Sequence, residues 1–119
     1  MRGVTIRART IFAWLALTAV IVLRDGGVPW ADDSARLSAK GIGLLERGAH
    51  REAIRNFDQA LRLDPLDATA YAGRGFAYVL MGYAALRLED LEEAIRLNPD
   101  LAIAYVGRGE ALRQRRQLD

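Results

Sequence analysis

Cysteine is absent from the 119 residues, and histidine occurs once. Without cysteine there is no disulfide, no thiolate zinc site, no thiol nucleophile and no lipid attachment through a cysteine; the redox compartment stays open. The lone His50 has no second residue at metal-ligand or catalytic spacing, so it reads as a partly buried turn residue. Basic charge is also scarce once its position is considered. Residues 1–31 hold four arginines and one aspartate, a net +3, while residues 32–119 hold 13 basic and 14 acidic residues, a net −1. The overall charge of +2 therefore does not describe a basic body, and a nucleic-acid partner is not expected.

Long apolar runs are confined to the start. Residues 1–9 carry three arginines and no acid, residues 10–23 are uncharged and apolar apart from two threonines, and Arg24 and Asp25 close the run. A positive start, a short apolar core and a polar exit predict a secretory signal peptide over 1–31, cleaved after Ala31, with Pro29 an imperfect residue at −3. Fourteen helical residues span only about 21 Å, short of a bilayer's hydrocarbon core. The alternative is a short retained N-terminal membrane anchor with Arg9 and Arg24 reaching the headgroups. The expected location is outside the inner membrane, in a bacterial periplasm, or anchored to that membrane.

The rest of the chain repeats itself. Pro65 and Pro99 end the motifs LDP and LNP, 34 residues apart. The same slide aligns Gly41 with Gly75, Gly48 with Gly82, Ala60 with Ala94, and AYAGRG (70–75) with AYVGRG (104–109). Each unit reads as two helices: 34–47 and 50–63, then 68–81 and about 84–97, with a last helix from about 102 to 116. Asp32, Asp33 and Ser34 offer N-cap oxygens to the first. Glycine at 48 and 82 breaks each pair, and proline stops the second helix. Ala53, Ile54, Phe57, Ala60 and Leu61 form one apolar stripe of the second helix.

A 34-residue helix–turn–helix with small residues at positions 8 and 27 and proline at 32 resembles the tetratricopeptide repeat family. The positions carrying the resemblance are Gly41, Ala53, Phe57, Ala60 and Pro65 in unit 34–67; Tyr71, Gly75, Tyr78, Ala94 and Pro99 in unit 68–101; and Tyr105 and Gly109 in the partial unit 102–119. Arg87 stands where alanine is usual, with Ala84 and Ala85 nearby to supply the contact through a shifted turn. The resemblance implies an all-α solenoid over 32–119, two full repeats plus a C-terminal capping helix, preceded by an N-terminal hydrophobic helix. Such repeats stack to make their core.

The resemblance also implies a non-catalytic scaffold or adaptor that binds a protein or peptide on its concave face; a membrane-anchored accessory subunit of a larger complex is the alternative. Carried over residue by residue, that face is Ala35, Ser38, Ile42 and Leu45, then Thr69, Ala72, Phe76 and Val79, then Ile103, Val106, Glu110 and Arg113. The family's basic clamp for a terminal carboxylate is not expected, because position 6 is Ala39, Gly73 and Gly107. No catalytic set, cofactor or metal site is expected, and self-association stays open. The GRG triplets fall inside helices rather than after a strand, which excludes a phosphate loop. Glu89, Asp90, Glu92 and Glu93 read as a solvated helix face, and Arg113, Arg115 and Arg116 as a solubilising tip.

Overall fold

The computed structural model describes residues 29–118. The expectations for 1–28, including the apolar segment 10–23 as signal or anchor, lie outside the described residues. Helices α1 (Pro29–Glu46), α2 (His50–Leu63), α3 (Ala68–Leu80), α4 (Leu88–Leu97) and α5 (Ala102–Leu118) follow one another, with a 3₁₀ turn at Ala84–Leu86 before α4. No strand occurs among the described residues. No described helix is long and apolar enough to cross a membrane.

The turns follow from local chemistry. Gly48 and Gly82 have φ of +79° and +81°, the left-handed conformation that costs a side chain about 1 kcal/mol or more. Each lets the chain fold back on the preceding helix: the Gly48 and Ala49 N–H groups donate to Leu45 and Leu44 carbonyls, and the Gly82 and Tyr83 N–H groups to Val79 and Tyr78. The two proline motifs form a second turn type. Asp64 Oδ1 accepts from the Leu66 N–H at 3.0 Å, and Asn98 Oδ1 from the Asp100 N–H at 3.1 Å. A short side-chain acceptor before proline holds each corner through its own backbone.

Two boundaries differ from the sequence expectation. Helix α1 is described from Pro29, so it runs across the expected junction at Ala31. Ser34 is consequently not a cap but a fully buried interior residue. The expected helix 84–97 is divided, with Arg87 (φ −140°) separating the 3₁₀ turn from α4. Ala84, only 3% exposed, supplies the small buried contact that Arg87 does not.

The core is built from alanines and a few large side chains. Ala53, Ala60, Ala70, Ala72, Ala94 and Ala104 are fully buried, as are Phe57 and Leu91. Alanine at these faces lets neighbouring helices approach, and each large residue fills the space between three helices. Helix α5 covers the second pair, with Ala104 and Ala111 buried against α3 and α4 and the Gln114 side-chain amide donating to the Val79 carbonyl at 3.1 Å.

Candidate functional site

The repeat's packing unit is a clasp. Phe57 on α2 lies between Gly41 on α1 and Gly73 on α3. A Cβ at Gly41 would fall about 2.5 Å from the Phe57 ring, and one at Gly73 would fall inside the ring's van der Waals surface. Leu91 on α4 repeats the arrangement between Gly75 on α3 and Gly107 on α5, each placing a Cβ 2.7 Å from a Leu91 carbon. All six positions are related by the 34-residue period. Every knob is therefore held by a glycine of its own unit and a glycine of the next. The position-6 glycines do more than lack a basic clamp: they are closed against the core, so no lysine or arginine side chain fits there.

An ion-pair network ties the same units together. Arg74 Nε and Nη2 donate to Asp90 Oδ2 and Oδ1 at 2.7 and 2.9 Å, and Nη1 donates to Asp58 Oδ1 at 2.8 Å. The Arg74 and Asp90 side chains are 16% and 8% exposed. The bidentate contact with Asp90 raises the guanidinium's pKa further, burial opposes, and Asp58 adds to the rise. Asp90 thus departs from the solvated acidic face expected of it, whereas Glu89 and Glu92 are exposed. Arg96 and Arg113 hold Glu93 and Glu110 below the usual carboxylate range through exposed i,i+3 pairs, which contribute little to stability.

A third polar cluster joins α1 to the α2–α3 corner. Asp67 caps α3, its Oδ1 accepting from the Ala70 N–H at 3.0 Å. Its Oδ2 accepts from Ser38 Oγ at 2.7 Å and from Ser34 Oγ at 2.6 Å; Ser34 Oγ also lies 3.0 Å from the Ala60 carbonyl. One hydroxyl proton serves one acceptor at a time, and the shorter contact to the carboxylate is the stronger. Asp67→Ala removes the cap and strands the buried Ser38 hydroxyl, while Ser34 keeps the Ala60 carbonyl as its acceptor, so we expect a loss of about 2 kcal/mol. The midpoint should fall by roughly 8–16 °C in a domain of this size, measured by circular dichroism. Asp67→Asn, which keeps an acceptor, should lose less.

The expected concave face divides on inspection. Leu45, Ala72 and Val79 are buried in the core, at 8%, 0% and 1% exposure, and serve packing. Ile42, Thr69, Phe76 and Ile103 are half-buried, and Phe76 packs against both the Phe57 and Leu91 clusters. Val106 is 61% exposed. Ala35 is exposed and Ser38 buried, while Glu110, half-buried, and Arg113, exposed, pair with each other. Of the repeat positions, Gly41, Ala53, Phe57, Ala60, Gly75 and Ala94 lie in the core; Tyr71 and Tyr78 are half-buried; Pro65 and Pro99 are exposed corners. Tyr105 and Gly109 are exposed, and nothing lies within 4 Å of a Cβ built at Gly109.

His50 is half-buried at the start of α2, beside an open hollow of about 450 Å³ formed with Gly48, Arg51, Glu52, Arg55 and Met81. No group of three or more His, Asp or Glu residues with metal-ligand geometry occurs among the described residues.

Residues 44–82 match the family model described as TPR repeat. The matched segment includes α2, α3, both left-handed glycine turns and the Phe57–Gly73 contact. A curated relative, tetratricopeptide repeat protein 33 from Homo sapiens, is 46% identical over 41 residues, which are 34% of this chain and 16% of that protein. The chain thus spans about a sixth of that relative's length. Both matches support the tetratricopeptide resemblance carried by the 34-residue period, and repeats of this kind generally mediate protein–protein contact and are typically non-catalytic.

Proposed function

We propose that this chain is a non-catalytic scaffold that holds an apolar segment of a partner protein along the face built by α1, α3 and α5. The observation that carries the reading is Val106, an apolar side chain 61% exposed on α5; Phe76 and Ile103, expected on the same face, are half-buried. Residues with alternating burial on such a face suit a short helix or extended segment. With the position-6 glycines closed, affinity rests on apolar contact rather than on capture of a terminal carboxylate. We further propose that residues 1–31 export the chain to a bacterial periplasm; intact mass distinguishes this from retention as an inner-membrane anchor. A mature chain starting at Asp32 supports export with cleavage, and a full-length mass in the membrane fraction supports the anchor.

Site-specific photo-crosslinking in the source cells tests the scaffold reading. A crosslinker at Val106 should give one discrete adduct, and one at Arg55, exposed on α2, should give none. Val106→Asp, at an exposed site, should change stability by no more than about 0.5 kcal/mol and compete poorly for the same partner. No adduct from Val106, or equal adducts from both positions, contradicts the reading.

A further inference from the structure

We propose that the outward face of α5 is a second docking seat, for a partner's amphipathic helix carrying an acidic residue followed directly by leucine or phenylalanine. The seat is defined by the molecule's own internal pairing. On α3, Arg74 and Gly75 receive Asp90 and Leu91 of α4: the guanidinium takes the carboxylate at 2.7 and 2.9 Å, and the glycine takes the leucine. Thirty-four residues on, Arg108 and Gly109 repeat that pair on α5. Here no helix lies on it among the described residues. Gly75 is buried and Gly109 exposed. Tyr105 and Leu112, one turn to either side, are 41% and 47% exposed. Arg108 stacks on Tyr105, 5.3 Å from the ring centroid, and forms no salt bridge with a described carboxylate.

Charge selects the occupant. Helix α5 carries Arg108, Arg113, Arg115 and Arg116 against one acid, Glu110, which is already paired with Arg113. A second copy laid on this face would set arginines against arginines. The acidic–apolar dipeptide of a second copy's α4 is already engaged by its own α3. A separate acidic helix satisfies both the open glycine and the arginine. Val106, three residues before Gly109 on the same helix, borders this seat; the seat is tested separately from the Val106 adduct by the Arg108 and Gly109 variants.

The probe is a hydrocarbon-stapled, fluorescent peptide with the sequence of residues 84–99, titrated against the full chain by anisotropy. Saturable, salt-sensitive binding is expected. Gly109→Leu fills the seat from open space, so it should leave the fold intact by circular dichroism and weaken binding at least about tenfold, equivalent to about 1.4 kcal/mol. Arg108→Glu should do the same, and a peptide with Asp90→Arg should recover binding to that variant. Three results overturn the proposal. They are no saturable binding, binding unchanged by Gly109→Leu (the peptide having displaced α4 from α3), and self-association of the chain in sedimentation that Gly109→Leu abolishes.

Discussion

Phe57→Ala should lower the unfolding free energy by about 3–5 kcal/mol, the largest effect of any single side-chain truncation in the described domain. The phenyl ring is fully buried, and its removal leaves a cavity bounded by Gly41 and Gly73. Neither glycine has a side chain that could swing into the space, and both belong to helices buried elsewhere along their length, α1 at Ser34, Ser38 and Leu45 and α3 at Ala70, Ala72 and Ala77. Partial collapse is therefore the least available relief. Domains of this size have only about 5–15 kcal/mol of stability in total, so a substantial fraction of molecules should unfold near body temperature. Urea denaturation followed by circular dichroism measures the loss. Leu91→Ala, in the equivalent clasp, removes a smaller side chain and should cost less.

Arg74→Met should cost about 3 kcal/mol, measured the same way. Most of that is the penalty of leaving the Asp90 carboxylate, 8% exposed, without its cation rather than the worth of the pair itself. That origin has a signature. Adding Asp90→Leu to Arg74→Met removes the stranded charge and should recover most of the stability, whereas adding Asp58→Ala, at the more exposed end of the network, should recover little. Arg74→Lys keeps the charge but cannot make the bidentate contact, and should fall between wild type and Arg74→Met.

The period, the turns and, apart from the break at Arg87, the helices after residue 50 were legible in the sequence because each depends on residues close together in the chain. Glycine at 48 and 82 and proline at 65 and 99 act on their own neighbours. The helical state of residues 29–33 was hidden because they look like the end of an export segment and its junction, and Ser34 looks like a cap until its partner, Asp67, is seen across the corner. Asp90 was hidden within EDLEE, since its carboxylate is distinguished from its neighbours only by Arg74 on another helix. The clasps were half visible. Gly41 and Gly75 stand out as small residues within a unit, but Gly73 and Gly107 act on the unit before them. Their alignment at the 34-residue slide was the available signal. Burial of Ala72 and Val79 within the expected binding face likewise depends on the next helix, which a single unit's pattern does not contain.

The glycine clasp underlies both the stability of the repeat and the open seat on α5, and a double-mutant cycle between Phe57 and Gly73 probes it directly. Gly73→Ala alone should cost about 1–3 kcal/mol, because the ring cannot retreat from the new methyl while Gly41 backs it on the other side. Phe57→Leu alone should cost less than truncation to alanine. Together they should be more stable than the sum of the two losses by at least about 1 kcal/mol, since the smaller knob makes room for the methyl. Losses that add within about 0.3–0.5 kcal/mol would show that Phe57 and Gly73 do not meet, and the clasp would fall with them.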